Sequence, residues 1–470
     1  MEARARRSLG IGIGVAVLAA GVGYFFLGGS AENPDDRAVG SIADLADLQE
    51  RDDVNVLFIL IDTLRADRLS VYGYDRETSP ALDYLANTGI RFAENRAQSS
   101  WTKTSMASLW TGLYPSRNGV VRHVDVLSEN ARTPAEILRD EGFVTAGIWR
   151  NGWVAPNFGF SQGFEIYQTP ANQQAPATMR REPRAGRIDG TDIDVIYSGI
   201  EFIRAHLDQR WFLYLHLMDV HQYITSDEAA IFGDTYSDSY DNSILWTDLQ
   251  VGLLLKALYK LNVENRTMVV VASDHGEAFG EHGSEGHARD LYGEVTLTPF
   301  IISPPFILSP PAVVTSRTQN VDIWPTVLDM LGIDVLPGAD GISWRPLLVE
   351  GDGSEGPPVV GRDRDIDFAQ LDRNWGKLEE EPAPIVAFRE GALRLIHHTL
   401  QPDQDLLFDI AADPGEQVNL LKTRPGDAAR LLKEATDHLN AETVYEGGAP
   451  VVEIDEMHMR QLRALGYSIE

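Results

Sequence analysis

The stretch Ser100–Gly112, SWTKTSMASLWTG, carries the first group that could do chemistry. Thr102 sits at or beside the start of a helix expected to run to about Trp110, where its hydroxyl lies among free backbone N–H groups. Those N–H groups can cap to the hydroxyl or hold an anion next to it. A second dense stretch is SDHGEAFGEHGSEGH, Ser273–His287. Asp274, His275, His282 and His287 fall within fourteen residues of a chain with only 11 histidines. The glycines among them let the backbone fold closely around a bound group. Asp62 follows the apolar run NVLFILI, and Asp219 and His221 follow WFLYLHL.

Carboxylate and imidazole donors without sulfur suit a divalent metal. Zn or Mn fits best, with Ca or Mg less suited where histidine ligates. One or two ions are expected, drawn from Asp62, Thr102, Asp219, His221, Asp274, His275 and His287. A hydroxyl held against such an ion loses its proton near neutral pH and becomes a nucleophile.

These residues need a scaffold that brings distant segments together. Asn55–Ile61, Val144–Ile148, Trp211–Leu217, Thr267–Ala272 and Thr298–Ser303 read as buried strands. Helices are expected from Ser79-Pro80 to Gly89, from the capping box at Thr133 to Gly142, up to about His206, over Asp241–Leu261 and over Asp322–Ile333. Strands alternating with helices predict an α/β fold with a mixed, mostly parallel sheet covered on both faces. Open sheets of this kind bind ligands beyond their strands' carboxyl ends, where Asp62, Asp219 and Asp274 lie. Gly163–Asp189 lacks periodicity and reads as a solvated loop near the site; Arg180, Arg181, Arg184 and Arg187 lie on it. After a linker at 349–358, a hairpin around Glu390-Gly391 and a helix at Asp427–Leu439 form a C-terminal α+β subdomain, 359–470.

The net charge of −30 argues against a nucleic-acid partner. The absence of cysteine excludes disulfides, a thiolate metal site and a Cys nucleophile. MEARARR precedes an uncharged run, Ser8–Ser30, long enough for a bilayer. It reads as a signal anchor within 1–30 or a cleaved signal peptide, with 31–52 as a polar tether. The catalytic domain, 53–348, is then expected outside the cytoplasm, periplasmic or at the cell surface, and secreted if the segment is cleaved.

NVLFILIDTLRADRLSVYGY, SWTKTSMASLWTGLYPSRNGV, VVASDHGEAFGEHG, PTVLDMLGI, LFDIAADPGEQVNL and LRALGY resemble segments of the alkaline phosphatase/sulfatase superfamily, in its bacterial sulfatase-like branch. The likeness runs from about Asn55 to Tyr467. It departs from true sulfatases at the nucleophile: Thr102-Lys103-Thr104-Ser105-Met106 stands where they carry the formylglycine motif Cys-x-Pro-x-Arg. Asp62-Thr63 replaces a double Asp, Asp274-His275 replaces Asp-Asn, His287 replaces a Lys, and Trp149-Arg150-Asn151-Gly152 replaces Gly-Lys-Trp-His.

The resemblance implies a hydrolase of phosphate mono- or diesters or phosphonates, working through a covalent phospho-Thr102. Asp62, Thr102, Asp274 and His275 would bind one metal; His221 and His287, with Asp219, would bind a second or the substrate's oxygens. Arg150, Asn151 and Lys103 are expected to contact the phosphoryl group. The substrate would be a small molecule, or a lipid or glycan phosphoester. Alternatives are a sulfatase, a membrane-tethered phosphoethanolamine- or phosphoglycerol-type transferase, and a non-catalytic scaffold.

Overall fold

The structure, a computed structural model, describes residues 35–170, 179–181, 190–334, 336–350, 366–454 and 456–463. Eight strands form one sheet: β1 (Asn55–Ile61), β2 (Ile90–Arg96), β3 (Val144–Ile148), β4 (Ile166–Gln168), β5 (Trp211–Leu217), β6 (Thr267–Ala272), β7 (Leu297–Ser303) and β8 (Ala312–Gln319). Their spatial order is β8-β2-β7-β6-β1-β5-β3-β4. β1 lies at the centre, parallel to β5 and β6; β7 alone runs against its neighbours β2 and β6. The mixed, mostly parallel sheet expected from the sequence is therefore present. The sequence reading did not mark β2, β4 or β8, which lie toward the sheet's two edges.

The alternation of β1 explains its unbroken apolar run. Val56, Phe58 and Leu60 enter one core, Leu57, Ile59 and Ile61 the other, and all seven residues of the strand are buried. The first core packs α2 (Thr102–Thr111), α3 (Pro134–Asp140) and α6 (Ile323–Met330) onto the sheet. The second packs α1 (Pro80–Asn87), α4 (Asp192–Ala205) and α5 (Tyr236–Lys260) onto its opposite face. Pro80 at the first helical turn and the Thr133 capping box start α1 and α3 where the sequence places them. α5 begins five residues before the expected Asp241, at a capping box of Thr235 with Asp238.

A separate antiparallel sheet, β9 (Ile366–Asp372), β10 (Pro384–Glu390), β11 (Leu393–His398) and β12 (Leu406–Asp409), packs with α7 (Pro425–Leu439). This is the expected C-terminal α+β unit. Its core takes in Tyr114 and Val321 of the larger unit.

Two expectations are corrected. The segment read as a polar tether is built into the fold: Val39-Gly40 pairs with Ile307-Leu308, and Leu45 and Leu48 are buried in the first core. Among the described residues no helix is long and apolar enough to cross a membrane, which overturns the membrane-anchored localisation; the apolar run 8–30 lies outside the described residues. Met179–Arg181 pairs with Ile224–Ser226, while 171–178 and 182–189, with Arg184 and Arg187, lie outside them.

Candidate active site

Every strand-end group gathers at the carboxyl edge of β1, β3, β5 and β6. The first loop turns sharply. Thr63 adopts φ +61°, a conformation costly for a β-branched residue, and its N–H thereby reaches Asp274 Oδ1 at 3.2 Å. Its own hydroxyl donates to the Asp62 carbonyl at 2.6 Å, so Thr63 replaces the usual second Asp without offering a ligand. Tyr240 of α5 pins the loop, donating to the Thr63 carbonyl and accepting from the Arg65 N–H. Arg65 then ties this loop to the next by donating to the Glu277 carbonyl at 2.8 Å. Gly276 is required by space: a Cβ there would lie 2.2 Å from the Glu294 carbonyl oxygen.

Asp62, Asp274 and His275 each present a ligand atom within 4.8 Å of the others, and all three are fully buried. Among the described residues this is the one such group of three. Asp62 Oδ1 and Asp274 Oδ2 are buried without a hydrogen-bond partner. Uncompensated buried carboxylate oxygens are costly, and a divalent cation would satisfy both. Two carboxylates and an imidazole fit Zn or Mn and also admit the harder ions. Burial pushes the Asp62 carboxyl up, but His221, His216 and His275 more than offset this and hold it well below the usual carboxylate range. Asp274 is pushed up, first by burial and then by the Asp62 charge beside it. That mutual repulsion is what a bound cation removes.

Thr102 opens α2, with Trp101 as the N-cap residue, and its side chain is buried. Its Oγ1 lies 3.2 Å from His275 Nε2 and 3.4 Å from Asn151 Nδ2. His275 Nδ1 faces the Gly276 carbonyl at 2.9 Å, so it carries the proton and the lone pair of Nε2 faces the threonine side. Asn151 Nδ2 also donates to Asp62 Oδ2 at 2.7 Å, linking Thr102 to Asp62. His216 bonds Asp62 Oδ2 through Nε2 at 2.9 Å. Tyr214 in turn bonds its Nδ1 at 2.6 Å.

His221 and His287 lie beside this cluster. The His287 ring is centred 4.5 Å from His275 and 5.0 Å from His221. Burial pulls His221 down to about 4, keeping it neutral at pH 7. Burial would lower His287 too, but the Glu277 carboxylate raises it above its ordinary value.

Three expected contacts are not formed. Asp219 is not turned to the cluster: Oδ1 accepts from Arg150 Nη1 at 2.6 Å, and Oδ2 accepts from the Asp192 N–H and from Trp246 Nε1. Arg150 is engaged rather than waiting for an anion. Its guanidinium donates to Asp192, Asp219, the Gly190 carbonyl and Gln222. Lys103 Nζ donates to the His123 carbonyl at 2.6 Å and lies 3.6 Å from the centre of the Phe158 ring. Burial drives the Lys103 ammonium well below its ordinary range. Conversely, Glu277 and Asp192 were missed. Glu277 stands three residues after Asp274, inside the stretch already singled out, and its acidity was the available signal.

Strand ends carrying two buried carboxylates and histidines, beside a helix that opens on a buried threonine, form the kind of site that a metal-assisted hydrolase on an α/β sheet would use. The family model for Sulfatase matches residues 54–333, and the chain belongs to that family, within the alkaline phosphatase/sulfatase superfamily. A choline-sulfatase of Rhizobium meliloti (strain 1021) is 25% identical, over 79% of this chain and 83% of that one. Arylsulfatase A of Bos taurus is also 25% identical, over 78% and 83%. Among solved structures, a phosphonate monoester hydrolase of Agrobacterium radiobacter superposes with TM-score 0.67 at 19% identity, covering 85% of this chain and all of that one. One from Silicibacter pomeroyi gives 0.63 at 20%, covering 85% and 99%. The protein is thus a sulfatase-family hydrolase acting on ester bonds.

Proposed function

We propose that this enzyme cleaves phosphate mono- or diesters, or phosphonates, through attack by Thr102. One observation carries the reading: a threonine Oγ1, buried at a helix start, lies 3.2 Å from His275 Nε2 beside the unpartnered oxygens of Asp62 and Asp274. A divalent metal held by Asp62, Asp274 and His275 would supply Lewis acidity to the reacting oxygens. Asn151 orients Asp62 and Thr102 toward each other. The first-turn N–H groups of α2, which Thr102 opens, would serve as donors to the ester's anionic oxygens. His221 and His287 flank it as partners for the ester oxygens. Thr102 Oγ1 gives its proton to solvent and attacks phosphorus in line; the bond to the leaving oxygen breaks, the departing alkoxide takes a proton from water, and a further water then hydrolyses the threonine adduct, releasing phosphate, a phosphate monoester or a phosphonate according to the ester cleaved.

The second reading is a sulfuric ester hydrolase, favoured by the sulfatases among the relatives. Against it stands the side chain at position 102. A formylglycine hydrate expels sulfate by hemiacetal breakdown, whereas a sulfo-threonine must be hydrolysed.

The test uses the purified full-length protein supplied with Zn²⁺ or Mn²⁺. Hydrolysis of p-nitrophenyl phosphate, bis-p-nitrophenyl phosphate, a phosphonate monoester and p-nitrophenyl sulfate is compared with Thr102→Ala. Phosphorus-ester turnover that falls by several orders of magnitude in the variant is the expected result. Dominant sulfate turnover, or activity indifferent to Thr102, overturns the reading.

A further inference from the structure

Glu277 has no part in the ligand cluster, yet the fold delivers it to a specific place. A two-residue antiparallel ladder joins Ala278 to Gly286 and Phe279 to Glu285. The next step along that ladder sets Glu277 opposite His287. Residues opposed in this way bring their side chains within reach of each other. His287 Nδ1 accordingly lies 3.1 and 3.3 Å from the two Glu277 carboxylate oxygens. An ionised carboxylate only accepts, so Nδ1 holds the proton and donates.

The carboxylate is firmly held. Glu277 is 2% exposed, its N–H donates to the Glu294 carbonyl at 3.1 Å, and its own carbonyl accepts from Arg65. Gly286, at φ +87°, takes the left-handed conformation that brings the second arm back to it. The His287 ring so oriented packs against His275, whose Nε2 is 3.2 Å from Thr102 Oγ1. Few groups fix an imidazole as well as a carboxylate on its far nitrogen, and loss of such a partner typically costs about 10- to 100-fold.

We propose that Glu277 is a positioning residue of the ester-cleaving site: it fixes the tautomer and ring plane of His287, and through His287 the polar contact made with the bound ester. This rests on the reading of the site given above. Arg65 couples the device to the first loop, because the same guanidinium that holds the Glu277 carbonyl also pairs with Asp67. A purely structural carboxylate would not need to face an imidazole that packs against the metal-ligand histidine.

Two measurements test it, one independent of turnover. In ¹⁵N-histidine-labelled protein without added metal, the His287 signals, assigned by their loss in His287→Ala, should show a proton on Nδ1. Glu277→Ala should lose that Nδ1–H signature and Glu277→Gln, which keeps one acceptor oxygen, should retain it. Unchanged His287 signals in Glu277→Ala overturn the proposal. In the kinetic cycle, run on whichever ester the wild type cleaves fastest, Glu277→Ala should lower kcat by about 10- to 100-fold at unchanged bound metal. Glu277→Gln should recover most of it. Glu277→Ala should cost nothing further once His287 is Ala, because the carboxylate acts only through the ring. A full additional loss in the double variant, or a loss that tracks metal content, overturns the proposal. Failure of the Thr102 reading shows instead as phosphorus-ester turnover indifferent to Thr102→Ala, while the His287 signals still decide the part played by Glu277.

Discussion

Arg150 gives the sharpest test of the structure against the sequence. By sequence it is a phosphoryl contact; in the fold it is the centre of a buried clamp. Its Nη1 bridges Asp192 Oδ1 at 3.0 Å and Asp219 Oδ1 at 2.6 Å, and Nη2 holds the Gly190 carbonyl and Gln222. The two aspartates also cap each other's backbone N–H groups at 3.0 Å. All three charged side chains are essentially without solvent exposure. Arg150→Met preserves bulk but leaves two carboxylates facing one another without a cation. Removing one partner of a buried ion pair costs about 3–5 kcal/mol. At about 2.1 cal/mol/K per residue the unfolding entropy of a chain this size is near 1 kcal/mol/K, so the expected fall in Tm is about 3–5 °C. The deficit should depend on pH. Asp192 is raised to about 7, by burial first and by Asp219 second. A raised carboxyl binds its proton more tightly folded than unfolded, so stability declines as pH rises from the ordinary carboxylate value through the folded one. Without the guanidinium that window extends upward, and the variant should lose more ground at pH 8 than at pH 5. Calorimetry across that range, with steady-state kinetics on the best ester, reads both effects. An unchanged Tm together with a large rise in KM would refute the clamp and return Arg150 to the substrate.

Further outcomes follow from other contacts. His216→Ala removes the imidazole that holds Asp62 Oδ2 at 2.9 Å and should weaken metal binding by about 10- to 100-fold, read by titration of the metal-stripped protein. Asp62→Asn should abolish tight binding outright, and chelation of the wild type should abolish turnover, restored by adding Zn²⁺ or Mn²⁺. His282 pairs with Glu294 at 2.7 Å, and although burial alone would lower it, Glu294 and then Glu416 raise it above its ordinary value. The stabilisation this pair gives is full below about pH 6.5. It is lost as pH rises through the folded value. Unfolding midpoints between pH 6 and 8.5 should show that slope in the wild type and not in His282→Asn.

The sequence disclosed what depends on local pattern. Buried parallel strands announce themselves as unbroken apolar runs, so β1, β3, β5 and β6 and the groups at their ends were readable. β2 was not, because IRFAENR mixes charge into a strand whose polar residues are satisfied by neighbours. Asn95 bonds Thr298 and Asn320, and Arg96 bonds Glu94 and Thr296. Such pairing is invisible until the strands are laid side by side. The segment 42–50 misled for the opposite reason. It is rich in Asp, yet Leu45 and Leu48 are spaced to meet the core.

The site divides along the same line. Asp62, Thr102, Asp274 and His275 are each set by the segment that carries them, at a strand end or a helix start. Arg150, Lys103 and Asp219 were assigned by side-chain type, and type does not say which partner reaches a group first. A buried guanidinium needs its counter-charges from wherever the fold provides them, and here α4 brings Asp192 while the end of β5 brings Asp219. Once both are in place, no donor of Arg150 Nη1 is left to turn toward Thr102. The adjoining Asn151, a neutral side chain with no such demand, is the one that reaches Thr102 and Asp62. The pair Arg150-Asn151 therefore splits the labour that the sequence assigned to both: the first holds the loops carrying Asp219 and His221, and the second touches Thr102.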